Sequence, residues 1–155
     1  MFDLESALKN LGWTRPAPPK PVASYLPCIS TGDMLYISGQ LPLRDGELIA
    51  TGPVPSAVSL EDAQQAAGQC VVNGLALIDQ AIASDWHRFV RIVRVGVFVQ
   101  CDPGYADQPK VANGASDLLF KLLGEPGRHA RAAVGVNALP LNAAVEVELI
   151  AQIRS

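Results

Sequence analysis

The stretch RHARAAVGVNALPLNAAVEVELIAQI, residues 128–153, contains two runs in which apolar and polar residues alternate. A period of two is typical of a β-strand that has one covered face and one open face. In the first run Arg131 shares a face with Ala133, and in the second run Glu146 and Glu148 lie opposite the valines. The pattern therefore predicts an arginine-bearing strand and a glutamate-bearing strand, joined by the NALPLN connection.

The elements before this stretch are predicted from the same kind of pattern. Two β-rich runs within residues 24–42 flank a turn signal and predict a hairpin. Residues 59–84 and 108–124 have helical periodicity, and the β-branched run 89–100 between them has the length of a long strand. The order ββαβαββ predicts an α+β fold, with a mixed sheet covered by helices on one face. We expect self-association to cover the other face.

An N-terminal arm precedes the first strand. Asp3 is a candidate N-cap and Gly12 a candidate stop for a short helix. Its apolar residues at helical spacing are Leu4, Leu8 and Leu11. Prolines concentrated in the following residues predict an extended tether, which we expect Trp13 to attach to the body of the protein.

Composition narrows the range of functions. The chain has 155 residues, of which 49% are hydrophobic and 17% charged, a balance typical of one compact domain. Its formal charge of −3 offers no basic surface for a phosphate backbone, so we expect no nucleic-acid partner. The apolar runs are shorter than the ~20 residues of a membrane helix and no leader is recognisable, so we expect no membrane partner and a cytoplasmic location.

Cysteine and histidine spacing gives no sign of a metal centre. Cys28, Cys70 and Cys101 are odd in number and widely separated, which fits neither a disulfide framework nor a zinc site. His87 and His129 have no second ligand at metal-binding spacing, and we interpret both as exposed loop or helix-end residues. We therefore predict that the protein binds no metal.

The residues alone leave two interpretations of Arg131. Small neighbours such as Ala133 leave room for a planar carboxylate to meet the guanidinium group. Alternatively, Arg131 forms an ion pair with Glu146 or Glu148 on a solvated face or at a subunit contact. Alternation by itself favours the ion pair, because charge pairs between strands are common.

Four segments in order resemble the Rid family, the YjgF-like reactive intermediate (enamine/imine) deaminases. They are YISGQLPL from Tyr36, RVGVFVQ from Arg94, ARAAVGVNALPL from Ala130 and VEVELIA from Val145. The resemblance implies a family domain over residues 22–155, and it leaves residues 1–21 as a helical arm and proline-rich tether. Such an arm is similar to that of a longer-chain subgroup of the family.

The resemblance implies a chorismate-mutase-like α+β fold with two helices packed on one face of the sheet. It also implies a homotrimer with ligand sites in the clefts between subunits. The implied activity is hydrolysis of 2-aminoacrylate and its 2-iminopropanoate tautomer to a 2-oxo acid and ammonia. The partners would be a small imino or keto acid and other copies of this chain, and no cofactor would be needed.

The resemblance also implies roles for particular residues. Arg131 would hold the substrate carboxylate, and Glu146 would position the attacking water. Further substrate contacts would come from Tyr25, Ser38, Gly39, Asn113 and Ala133. Ala133 departs from the many members that have cysteine there, which places substrate preference in question more than the reaction.

Each of these contacts also has an ordinary structural explanation. Tyr25 has the character of a core or interface aromatic. Ser38 and Gly39 fit a strand end where glycine is needed for a positive φ, and Asn113 fits a residue that caps or bridges backbone. The alternative function is a non-catalytic trimer that binds small carboxylates such as 2-oxo acids. Ribonuclease activity is less favoured, because the chain is acidic and lacks a histidine pair.

Overall fold

The computed structural model describes residues 2–17 and 24–154. The predicted proline-rich tether is therefore described only in part, and residues 18–23 lie outside the described residues. The predicted boundary between residues 21 and 22 also lies outside them.

The elements follow the predicted order, with a short hairpin added after the second strand. Their bounds are α1 (Leu4–Asn10), β1 (Cys28–Thr31), β2 (Met34–Gln40), β3 (Leu43–Arg44), β4 (Glu47–Leu48), α2 (Leu60–Ala81), β5 (Phe89–Gln100), α3 (Gln108–Leu123), β6 (Ala130–Val136) and β7 (Val145–Ile153). Single turns of 3₁₀-helix occupy Trp86–Arg88, Glu125–Gly127 and Pro140–Asn142.

Five strands form one sheet in the order β1-β2-β7-β5-β6. The pairs are antiparallel, except that β6 runs parallel to β5 at one edge. The predicted mixed sheet is confirmed. β7 and β5 lie at its interior, and alternate residues of β7 from Val145 to Ile153 are buried on the face beneath the helices.

Helix α2 lies against this face because its sequence allows close approach. Ser59 caps it, since its Oγ accepts a hydrogen bond from the Asp62 amide at 3.0 Å. Small residues line its buried stripe, and a Cβ at Gly74 would overlap with the side chain of Leu149 on β7. The core therefore lies between the sheet and the pair α2 and α3.

The N-terminal helix α1 packs into this core. Asp3 caps it as predicted, accepting from the Ser6 amide at 2.8 Å. Leu4 and Leu8 are buried members of the core, whereas Leu11 is 40% exposed. The arm is therefore part of the packed body.

Two contacts attach the residues that follow α1. The Arg15 guanidinium group pairs with the buried carboxylate of Asp79, with Nη2 and Oδ2 2.6 Å apart. The indole of Trp13 packs on Gly68 of α2, where a Cβ would lie 2.8 Å from the ring. The predicted attachment by Trp13 is thus confirmed. Within the two described ranges, no helix has both the length and the apolar character needed to cross a membrane.

Candidate functional site

Arg131 lies on β6, the edge strand, and faces the helices. Its Cα pairs with Val95 of β5, which in turn pairs with Leu149 of β7. Leu149 and Val95 belong to the buried face of the sheet. The side chain of Arg131 therefore extends along α3.

Helix α3 holds the guanidinium group of Arg131 along one side. Nη1 donates to Asn113 Oδ1 at 2.9 Å and to Ser116 Oγ at 3.1 Å, and Nη2 donates to Pro109 O at 3.4 Å. Two predicted site residues, Arg131 and Asn113, are thus in direct contact. Arg131 also lines an open cavity of about 440 Å³, together with Ser116, Asp117, Phe120, Gly127, Arg128 and His129.

The ion pair on the open face is made by a different arginine. Arg94 of β5 donates to Glu148, with Nη1 and Oε1 2.8 Å apart. Glu146 and Glu148 are on the face opposite to Arg131, because residues of one strand alternate and the strands are in register. Within one chain, therefore, the predicted pairing of Arg131 with either glutamate is not formed.

Glu146 projects from β7 over a gap in the neighbouring strand. The β2–β7 register shifts between Ile37 and Gln40, which leaves Ser38 and Gly39 in an irregular stretch of β2. A Cβ on Gly39 would overlap with Glu146 Oε1. The φ of Gly39 is not positive, so the proposed need for a positive φ was wrong. The glycine instead leaves room for the carboxylate.

Glu146 has the electrostatics of a proton acceptor. Burial is the main cause that raises the pKa of this carboxyl above its ordinary value of 4.5, and repulsion by Glu148 adds to it. On its other side Glu146 pairs across the ladder with Phe98, an apolar neighbour. Among the described residues, Glu146 has no hydrogen-bond partner. Its carboxylate is therefore partly desolvated and free to bind water.

The remaining predicted residues divide between the two faces. Ser38 holds the segment before β1, because its Oγ donates to Leu26 O at 2.7 Å. Tyr25, in that same segment, is 55% exposed. Ala133 lies on the face of Arg131, where it is half-buried against the core. One chain thus brings Arg131, Asn113 and Ala133 to one face, and Gly39 and Glu146 to the other.

The sequence interpretation missed two residues that contact Arg131 or its partners. Ser116 Oγ lies 3.0 Å from His129 Nε2, and His129 Nδ1 lies 2.7 Å from Gly127 O. The interpretation of His129 as an exposed residue was wrong, because the ring is half-buried and both nitrogens are hydrogen-bonded. Burial lowers the pKa of His129, and the charge of Arg131 lowers it further. Helical spacing offered a signal, since Ser116 follows Asn113 by one turn of α3.

In the part of the chain that the structure describes, no group of three or more histidine, cysteine, aspartate or glutamate side chains could hold a metal ion. The three cysteines are free thiols. Burial raises the pKa of Cys28 and, with a contribution from Glu146, that of Cys70. Neither thiol has the lowered pKa of a nucleophile.

Comparison with known proteins identifies the family. The endoribonuclease L-PSP family model matches residues 15–153. Protein TCP17 of Trypanosoma cruzi is 39% identical over 149 residues, covering 96% of this chain and 92% of TCP17. A 2-iminobutanoate/2-iminopropanoate deaminase of Dermatophagoides farinae is 30% identical over 137 residues, covering 87% of this chain and 90% of that protein.

Solved structures agree with this result. The crystal structure of a protein of unknown function from Agrobacterium tumefaciens superimposes with a TM-score of 0.91 at 44% identity, covering 97% of this chain and 92% of that one. The fold is thus shared with a solved relative along nearly the whole chain. The chain belongs to the endoribonuclease L-PSP family, which is the Rid (YjgF/RutC) family that its motifs resemble.

Proposed function

We propose that this protein hydrolyses small 2-imino acids and their enamine tautomers to 2-oxo acids and ammonia. Substrates of the 2-aminoacrylate/2-iminopropanoate type carry a carboxylate next to an electrophilic carbon. Arg131 binds the carboxylate, and Glu146 activates the water. The Dermatophagoides farinae relative bears the name of this activity, which supports the proposal.

One observation carries the proposal: the two neighbouring glutamates of β7 have different environments. Glu148 is paired with Arg94 at 2.8 Å. Glu146 lies over Gly39 with a raised pKa and no hydrogen-bond partner among the described residues. A general base works best when its pKa is close to the operating pH, and the raised pKa of Glu146 suits it to this role.

The reaction needs only orientation and proton transfer. Water attacks C2 of the imine while Glu146 accepts one of its protons and passes it to nitrogen, which gives a tetrahedral carbinolamine. Glu146 then takes the hydroxyl proton and delivers it to nitrogen as the C–N bond breaks, so ammonia leaves and a 2-oxo acid remains. The imine carbon is already electrophilic, so positioning water and substrate is the main contribution required of the protein.

Arg131 suits the carboxylate because part of its donor set is weakly used. Nη1 is held by Asn113 and Ser116, whereas Nη2 makes one long contact of 3.4 Å. The group is therefore fixed in orientation and retains donors for a planar anion. Ala133, on the same face, leaves space beside it.

The two catalytic groups lie on opposite faces of one sheet, so a second copy of the chain must complete the site. The open face offers a surface for this association. Ile29, Tyr36 and Val134 are exposed there, and apolar side chains in such number favour burial against another subunit. We propose a homotrimer, in which Arg131 of one subunit and Glu146 of another face a shared cleft.

The decisive experiment generates 2-aminoacrylate in situ with a serine dehydratase and measures release of 2-oxo acid and ammonia. We expect the protein to accelerate release over the spontaneous rate, and Arg131→Ala and Glu146→Gln to abolish the acceleration. Sedimentation equilibrium should give the mass of a trimer. A monomer would remove the intersubunit site from the proposal.

Matched variants make the assay specific. Glu148→Gln changes the neighbouring carboxylate, and Arg154→Ala removes an exposed arginine that contacts His87 O. Both should retain most of the activity. If the wild type gives no acceleration but binds pyruvate in calorimetry, the protein is a non-catalytic binder of small carboxylates and the deaminase proposal is wrong.

A further inference from the structure

A chain of hydrogen bonds runs from Arg131 to the backbone through two residues with no assigned role. Arg131 Nη1 donates to Ser116 Oγ at 3.1 Å, Ser116 Oγ lies 3.0 Å from His129 Nε2, and His129 Nδ1 lies 2.7 Å from Gly127 O. Gly127 is buried and ends the single turn of 3₁₀-helix, Glu125–Gly127, that follows α3. The far end of the chain is therefore fixed to the protein core.

The chemistry of the end groups sets the direction of every bond. A carbonyl oxygen can only accept, so His129 Nδ1 carries the proton that it donates to Gly127 O. In a neutral ring Nε2 is then an acceptor, and Ser116 donates its hydroxyl proton to it. The lone pairs of Ser116 Oγ therefore point away from His129, and they accept a hydrogen bond from Arg131 Nη1.

We propose that Ser116 and His129 are positioning residues, which hold the Arg131 guanidinium group in its carboxylate-binding orientation only while His129 is neutral. This inference rests on the proposed role of Arg131 as the carboxylate clamp. It goes beyond that role because it names the groups that orient the clamp and makes the affinity for carboxylates depend on the charge of His129.

Protonation of His129 disrupts this series of hydrogen bonds. Nε2 then becomes a donor, so Ser116 must accept from His129 and Arg131 together and its own proton loses its acceptor. The imidazolium charge also repels the guanidinium group. The Arg131 guanidinium group consequently loses its fixed orientation.

None of the other charged groups near His129 is among the causes that shift its pKa. Asp117 on α3 and Arg128 line the same cavity as His129 and Arg131. Arg128 is paired with Glu125 at 3.1 Å, and Arg91 of β5 donates to Arg128 O at 3.3 Å. Besides burial, the charge that lowers the pKa of His129 is that of Arg131. The coupling between these two residues is therefore the one to test.

The first measurement needs no ligand. The chain has two histidines, so NMR titration of the ring signals distinguishes His129 from the exposed His87. We expect Ser116→Ala and Arg131→Ala each to raise the pKa of His129, because one removes a donor to neutral Nε2 and the other removes a repelling charge. The ring signal of His87 is the internal control. An unchanged His129 titration in both variants overturns the proposed coupling.

The second measurement is the affinity for pyruvate by calorimetry between pH 5 and 8, with KM and kcat alongside it. In the wild type the dissociation constant should rise as pH falls through the His129 titration. His129→Gln keeps an acceptor near the position of Nε2 and cannot titrate, so its affinity should match the wild type at pH 8 and not weaken in acid. His129→Asn keeps the bond to Gly127 O but has no acceptor in reach of Ser116. Its KM should be raised at every pH.

Ser116→Ala should raise KM about three- to tenfold with little change in kcat. The guanidinium group loses one of the bonds that orient it, and the effect on binding should be about that of one typical hydrogen bond. Ser116→Thr retains the hydroxyl and should restore much of the affinity. A wild type that binds pyruvate, with Ser116→Ala and His129→Gln indistinguishable from it at all pH values, overturns this inference and leaves the proposed function intact. Failure of the wild type to bind any carboxylate would overturn the proposed role of Arg131 in carboxylate binding. In that case the NMR titration still decides whether Arg131, Ser116 and His129 are coupled through hydrogen bonds.

Discussion

Gly39 and Glu146 approach each other so closely that residue 39 has no room for a side chain. A Cβ placed at residue 39 would overlap with Glu146 Oε1. Gly39 belongs to the irregular stretch of β2, where the register with β7 shifts. The position of the proposed general base is thus set by the backbone of the neighbouring strand.

Gly39→Ala should therefore reduce activity strongly without replacing a catalytic side chain. The added methyl group displaces the Glu146 carboxylate, and misplacement of a base by about 1 Å can reduce turnover up to about 100-fold. We expect kcat/KM to fall at least about tenfold and the free energy of unfolding to fall by about 1–3 kcal/mol. The in situ deaminase assay measures the change in kcat/KM, and urea denaturation measures the change in the free energy of unfolding.

Gly96→Ala is the matched control for this substitution. A Cβ at Gly96 would lie 2.6 Å from Glu148 Oε1, so the same steric change displaces the carboxylate that pairs with Arg94. We expect a similar loss of stability with activity largely retained. Equal loss of activity in both variants would assign the effect to general distortion of the sheet.

Glu146→Gln should stabilise the protein at neutral pH while removing its activity. The raised pKa means that the folded state favours the protonated carboxyl more than the unfolded chain does. This contribution to stability is fully present below about pH 4.5 and is lost as pH rises through the folded-state pKa. Glutamine resembles the protonated form and keeps the contribution at every pH.

We expect the melting temperature of Glu146→Gln to exceed that of the wild type by about 1–2 °C at pH 7.5, a modest shift because the group is half-exposed. The difference should vanish near pH 4. A constant difference across this range would contradict the titration of Glu146 as its cause.

The faces of the strands could be predicted from sequence because alternation is a local property. Arg131 and Ala133 share a face of β6, and Glu146 lies on the open face of β7, as the pattern of residues required. Alternation does not reveal which face of one strand matches which face of the next. That match depends on register, and it places Arg131 beneath α3 and away from Glu146.

The contacts that distinguish Glu146 from Glu148 could not be predicted in the same way. They depend on a register shift in β2 and on Arg94 reaching across from β5. Both are long-range consequences of sheet assembly. The family resemblance singled out Glu146, and the structure shows that the two glutamates differ in their contacts.

The N-terminal arm should contribute substantially to stability. Leu8 is fully buried in the core, although it comes from a seven-residue helix ahead of the sheet. Leu8→Ala should reduce the free energy of unfolding by about 2–5 kcal/mol, since it leaves a cavity. Leu11→Ala, at a residue 40% exposed, should cost much less. Equal effects in urea denaturation would contradict a core role for the arm.

Asp79 joins this arm to the end of α2, and we expect its replacement to be costly. The side chain is buried, and its two oxygens accept from Trp86 Nε1 at 2.6 Å, Ser84 Oγ at 2.9 Å and Arg15 Nη2 at 2.6 Å. Asp79→Asn exchanges one acceptor for a donor, so at least one of these buried donors loses its partner and Arg15 loses its counter-charge. We expect a loss of about 2–4 kcal/mol in the free energy of unfolding. Glu125→Gln, in an exposed pair with Arg128 at 3.1 Å, should cost less than about 1 kcal/mol. Similar melting temperatures for the two variants would mean that the buried network adds no more stability than a surface ion pair.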